Sequence, residues 1–248
     1  MVSCYVGPGT SSSYGHPTYR LIHYVSRGLG EPIRWMFSLA DVPFEDVVLW
    51  PRDIVPDGVP NVQCSTPLNL VPILEENGRA LTQSFAIGRY LAKKFGFIAN
   101  IPAVDAKGDQ LIEAVKDCRL LSRVFIKDKI LWSTDEAEVA RIDARLDEIF
   151  PLYLKLMENM LKNYPGDYML GNLMTYSDLV LANWLDIWQI CLGPELLTPY
   201  PTLREHMIRV ISHPKIKDIR LIRARSMFSF DYEKYFRSKG IEADDPAE

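Results

Sequence analysis

The segment Leu70-Val71-Pro72-Ile73-Leu74 is followed closely by Asn77-Gly78 and then by Gln83-Ser84. A proline opens a strand, a tight turn reverses the chain, and a polar pair begins a helix. Backbone groups beside such a proline can pair with an extended peptide. The hydroxyl of Ser84 and the N–H groups of a helix's first turn form a natural carboxylate site, and Ser84 also fits the role of a helix start. Together these residues describe a pocket for a small acidic peptide. Tyr24, at the end of an earlier alternating segment, brings a phenol to the same kind of strand end. The four cysteines, Cys4, Cys64, Cys118 and Cys191, show no Cys-x-x-Cys and no zinc-like Cys/His spacing. They read as reduced, structural thiols, and no metal is expected. No cysteine occupies the first strand–helix turn, which argues against a cysteine-based redox enzyme.

These residues need elements to hold them. Tyr19 to Tyr24 alternates as a strand, Arg27 to Gly30 is a turn, and Glu31-Pro32 opens a helix to about Ala40. An acid and a proline suit a first helical turn. Pro43 to Trp50 is β-branched and aromatic and reads as a strand, and Pro51 to Leu70 reads as an irregular loop. Asn77-Gly78 joins Val71–Glu76 to Arg79–Thr82 as a hairpin, because both turn positions tolerate positive φ. Ser84 to Phe95 carries apolar residues at helical steps and ends at Gly96, a C-terminal cap. Beyond it only helices are expected, over Ala103–Trp132, Asp135–Asn163, Ser177–Leu192, Pro201–Ser212 and Pro214–Arg225. Thr175 and Asp178 have the spacing of a capping box. The fold class is therefore α+β, a βαβ-ββα unit over 18–98 and an all-α unit over 103–226. A flexible extension over 1–17 precedes them and an aromatic tail over 227–248 follows.

The 248 residues are 48% hydrophobic with a formal net charge of -4, which disfavours a nucleic-acid partner. No apolar run approaches the ~18 residues of a membrane span. The first residues lack the basic start and apolar stretch of a secretory signal, so a cytoplasmic location is expected.

Gln83-Ser84-Phe-Ala-Ile-Gly-Arg-Tyr-Leu-Ala-Lys, Val71-Pro72-Ile-Leu, Tyr19-x-x-x-x-Tyr24 before Glu31-Pro-Ile-Arg34, and Tyr200-Pro-x-Leu together resemble the cytosolic glutathione transferases. The closest class is sigma, with its glutathione-dependent prostaglandin isomerases and lens crystallins. The resemblance covers roughly residues 18 to 220. It implies a thioredoxin-like N-terminal domain, an all-α C-terminal domain and a homodimer with composite sites.

By this resemblance, Tyr24 donates a hydrogen bond to the glutathione sulfur and favours the thiolate, with Ser26 as a rival in the following turn. A cis Pro72 turns the Val71 backbone toward the cysteinyl residue, while Gln83 and Ser84 hold the γ-glutamyl end. Asp117 reaches the γ-glutamyl amine across the dimer. Trp50 and Leu70 are the candidate contacts on the glycyl side, where the chain departs from the pattern. The turn from Tyr24 to Glu31 is one residue short, and Leu29 stands where many members carry arginine. Leu70 and Asn69 replace the usual basic or glutamine residue and glycine, and the loop after Trp50 is several residues longer. Glutathione binding with weakened glycyl contacts is the expectation. Ser26, Cys118, Leu121, Ser122 and Phe125 are the candidate pocket for a small hydrophobic electrophile, and the aromatic tail is a candidate lid. The implied activity is thiolate conjugation, glutathione-dependent isomerisation or peroxide reduction, in a detoxifying role. The alternative is a non-catalytic ligand carrier or crystallin-like protein.

Overall fold

Strand β2 (Tyr19–Tyr24) sets the geometry of the first unit, because its alternation sends Arg20, Ile22 and Tyr24 to one face of the sheet and Tyr19, Leu21 and His23 to the other. The computed structural model describes residues 4–6, 18–24, 26–49, 71–131 and 135–222. Helix α1 (Glu31–Leu39) follows the turn, then β3 (Glu45–Leu49), β4 (Ile73–Glu76), β5 (Arg79–Thr82) and α2 (Ser84–Phe95). The strand order is β1-β3-β2-β4-β5, where β1 is Cys4–Val6. Strands β2 and β3 are parallel, β4 and β5 antiparallel, as a thioredoxin-like βαβ-ββα unit requires.

The span read as a flexible extension holds one strand among its described residues. Cys4–Val6 pairs antiparallel with β3, Cys4 opposite Val47 and Val6 opposite Glu45. Three residues are too few to show an alternation, so the strand leaves almost no trace in the sequence.

Each face of the sheet has its own filling. On one, Ile22, Val47, Leu49 and Ile73 form an apolar cluster, with Tyr24, Val71 and Ala80 packed against it. Farther along that face, Arg20 bridges Glu45 at 2.8 Å and Glu75 at 2.5 Å, its direct cross-strand neighbours. On the other face, Tyr19 packs on Phe37 of α1 and Phe95 of α2, which fixes both helices to the sheet. Arg34 reaches from α1 to Asp46 at 2.8 Å and to Glu31 at 3.4 Å, and all three side chains are buried.

The remaining helices are α3 (Pro102–Leu131), α4 (Glu136–Lys162), α5 (Tyr176–Leu192), α6 (Pro201–Ile211) and α7 (Pro214–Ile222), with a 3-10 turn at Pro194–Leu197. Helix α5 is buried from Tyr176 through Trp188 and packs against α3 and α6. Its start carries the expected capping box between Thr175 and Asp178. Asp178 also accepts from the Met169 N–H and binds His206 Nε2 of α6, each at 2.8 Å. The chain divides into two compact units, one holding β1 to α2 together with α7, the other holding α3 to α6. Helix α7, expected among the helices of the second unit, instead packs on α1. This is the α+β architecture, a small mixed sheet with flanking helices and a separate helical unit.

Candidate functional site

Register brings the first group of candidate residues to one end of the sheet. Ile22 lies opposite Ile73, and Ile73 lies opposite Thr82. Because β2 and β4 run antiparallel, the chain beyond Ile22 reaches Tyr24 at the end where β4 begins with Val71-Pro72. Because β4 and β5 run antiparallel, Thr82 leads into Gln83 and Ser84 at that same end. Tyr24 and Val71 rest on the same apolar cluster. The Val71–Pro72 peptide is cis.

Ser84 is buried at the first position of α2, and the Ile87 N–H already bonds the Gln83 carbonyl. Gln83 is exposed, makes no side-chain cap, and holds φ 72° and ψ 104°. A non-glycine residue there is strained, and such strain concentrates at functional sites. The sequence carried no signal of it.

Tyr24 is half-buried. Loss of solvent raises its phenol above the ordinary tyrosine value. Burial penalises the phenolate, so the group keeps its proton at neutral pH and acts as a donor. Before it in the strand, His23 is buried, with Nδ1 3.1 Å from the Tyr24 carbonyl oxygen and its ring edge-on to the Tyr24 ring at 5.7 Å. Ser26 is buried in the following turn, where Gly28 takes φ +41°.

The α3 candidates belong to the helical unit and do not share one face. Cys118 and Ser122 have no exposed surface, and Ser122 Oγ donates to the Cys118 carbonyl at 2.7 Å. Burial pushes the Cys118 thiol up to about 12, which makes it inert at neutral pH. Two of the expected pocket residues are therefore fully buried. Asp117 and Leu121 are exposed, while Phe125 is half-buried with the Arg145 guanidinium 6.0 Å from its ring centre. Trp50 and Leu70, with Cys64, Asn69 and the aromatic tail, lie outside the described residues. Among the described residues, no group of three or more His, Cys, Asp or Glu could hold a metal ion. Among them, too, no helix is long and apolar enough to cross a membrane.

Residues 128–218 match the family model described as glutathione S-transferase, C-terminal domain. Glutathione S-transferase 1 of Ascaris suum is 32% identical over 205 residues, covering 81% of this chain and 94% of that protein. The crystal structure of the glutathione S-transferase from Ascaris lumbricoides has a TM-score of 0.74 at 30% identity, covering 83% of this chain and 97% of that one. A prostaglandin synthase D of Nilaparvata lugens has a TM-score of 0.68 at 30% identity, covering 81% and 96%.

Proposed function

The chain belongs to the glutathione S-transferase family and is a transferase, and from that premise we propose that it activates glutathione through Tyr24 for attack on small hydrophobic electrophiles. The observation that carries this reading is the convergence at one sheet end of a protonated phenol, the Val71–Pro72 backbone and the Gln83-Ser84 helix start. A free thiol with pKa ~8.5 is a few per cent ionised at neutral pH. A hydrogen bond from the Tyr24 hydroxyl to sulfur favours the charged form, and each unit of lowered pKa corresponds to about 1.4 kcal/mol. The thiolate then forms the carbon–sulfur bond. The electrophile's leaving group departs with the bonding electron pair, or an addition product takes a proton from water.

In this reading the Val71 backbone pairs with the cysteinyl residue. Gln83 and Ser84 take the γ-glutamyl carboxylate at the helix start, where charge and donors both favour an anion. Trp50 and Leu70 serve the glycyl end. The protein acts as a homodimer, and the exposed Asp117 of one copy meets the γ-glutamyl ammonium bound to the other. Ser26, in the turn after Tyr24, offers a contact to the electrophile. The motif residues around Val71–Ser84 favour a sigma-like class, a cytoplasmic location and a detoxifying role. Similarity to the prostaglandin synthase D of Nilaparvata lugens favours a second reaction, glutathione-dependent isomerisation, at the same site.

Turnover of a chloronitrobenzene substrate by wild type and Tyr24→Phe tests the reading. Loss of the hydroxyl is expected to lower kcat on the order of a hundredfold, as for removal of one donor to a reacting anion. Equal rates remove Tyr24 from the mechanism. Retention on glutathione resin without any turnover or isomerisation favours a ligand carrier.

A further inference from the structure

The sheet has two edges, and they are finished differently. Its order is β1-β3-β2-β4-β5, so without β1 the edge strands would be β3 and β5. An open edge presents a row of backbone N–H and C=O groups to which another strand can add. Folds blunt such edges with short strands, free charges, prolines or bulges. Strand β5 spans four residues and begins with the exposed Arg79. Strand β3, Glu45-Asp46-Val47-Val48-Leu49, holds no proline. Its register with β2 runs unbroken from Arg20 opposite Glu45 to Tyr24 opposite Leu49, so it carries no bulge on that side.

The two carboxylates of β3 are spent within its own unit. Arg20 bonds Glu45 at 2.8 Å, and Arg34 bonds Asp46 at 2.8 Å. Matched charges repel a neighbouring copy less than free ones. Asp46 is 5% exposed, and Val47 and Leu49 are buried in the core. What remains along the edge is a β-branched, charge-balanced strand, suited to pairing with its own kind. Two β3 strands meeting antiparallel about Val47 set Val47 against Val47, Asp46 against Val48 and Glu45 against Leu49. No carboxylate then faces another, and the pairing escapes like-charge repulsion.

In the structure β1 takes this edge, with Cys4 opposite Val47, Tyr5 opposite Asp46 and Val6 opposite Glu45. Val6 and Arg20 both lie opposite Glu45, at the same end of the sheet and two strand spacings apart, about 10 Å. The sequence between Val6 and Tyr19 is longer than that span requires, so β1 can close on its own sheet. We propose that β1 is a guard strand: it covers the β3 edge within its own chain, and a second copy of this chain takes that edge, β3 against β3, when β1 leaves. The contact is independent of the role given to Tyr24 and separate from the homodimer that brings Asp117 across.

The test compares the full-length protein, a chain lacking residues 1–17, and the full-length variants Tyr5→Pro and Val6→Pro. Alternate residues of an edge strand turn their N–H toward the neighbour, so at least one of the two prolines removes a ladder donor. Light scattering over about a hundredfold range of concentration reads the mass, and hydrogen exchange reads the β3 amides. The concentrated truncated chain should reach about twice the full-length mass. Its β3 amides should exchange faster than in the full-length protein when dilute and regain protection when concentrated. At least one proline variant should do the same. A synthetic peptide of residues 1–10 in excess should return the truncated chain to the full-length mass, and a scrambled peptide should not. Where the truncated chain folds poorly, the proline variants decide the matter. Full-length mass and full-length β3 protection in all variants overturn the guard role. Faster β3 exchange with an unchanged mass overturns the second copy as the partner. A doubled mass without concentration-dependent protection of β3 puts the contact on another surface and overturns the pairing of β3 with β3.

Discussion

At Gln83 the backbone occupies φ 72° and ψ 104°, where side-chain-bearing residues rarely sit. Such a conformation costs about 1–3 kcal/mol and persists only when its surroundings hold it. Its surroundings are the β4–β5 hairpin on one side and the first turn of α2 on the other. Glycine carries less of this cost, so Gln83→Gly should raise stability by about 1 kcal/mol. In the proposed role, the amide helps hold the γ-glutamyl end, so the same variant should raise KM for glutathione. Thermal unfolding and glutathione titration read the two effects separately. A variant that is both more stable and unchanged in KM would free Gln83 from the site. Position 83 was legible in the sequence as half of a polar pair. Its strained angle was not, because strain comes from the junction of two elements rather than from residue type.

At the scale of elements, helix starts decide how the helical unit is assembled. Glu158 of α4 is buried and accepts from the Thr202 and Leu203 N–H groups at 3.2 and 2.8 Å, capping the start of α6 from another helix. Burial alone pushes its carboxyl up. The Lys162 ammonium, Thr202 and the backbone N–H of Leu203 outweigh that effect and hold it below the usual carboxylate value. A carboxyl whose folded pKa lies below its unfolded value stabilises fully above the ordinary carboxylate range, and that contribution disappears as pH falls through the folded value. Glu158→Gln should therefore cost about 1–3 kcal/mol at pH 7. The gap from wild type should narrow as the pH drops below ~4. Urea unfolding of both proteins at neutral pH and near pH ~3 checks this. A gap that does not change with pH would mean that the charge plays no part. The capping box at Thr175 and Asp178 was readable because both partners lie in one short segment. The Glu158 cap was not, because its donors lie far along the chain, at separations of 44 and 45. Helical spacing likewise grouped Cys118, Ser122 and Leu121 along one stretch of α3, but periodicity does not say which stripe meets the core. The structure buries the first two and exposes the third.

Across the whole chain, sequence order and spatial grouping part company at α7. The element follows four helices of the helical unit, yet it packs on α1 of the sheet unit. Lys215 Nζ reaches the Leu39 carbonyl at 3.4 Å and Asp41 Oδ2 at 2.5 Å, at the C-terminal end of α1, and Ile216 has no exposed surface. A basic side chain there satisfies carbonyls that a helix end leaves open. The apolar contact contributes more: replacing a fully buried isoleucine with alanine costs about 2–5 kcal/mol. If the two units are also units of stability, that loss should appear in the unit α7 packs on, not in the one that precedes it in sequence. Hydrogen exchange on Ile216→Ala should therefore show faster exchange in α1 and strands β2 to β5, with α5 keeping wild-type protection. Glutathione binding should weaken alongside, since Tyr24, Val71 and Ser84 belong to the loosened unit. Equal loss of protection in both units would mean that the chain unfolds as one cooperative body. Loss confined to α3 to α6 would place α7 energetically with the helices it follows.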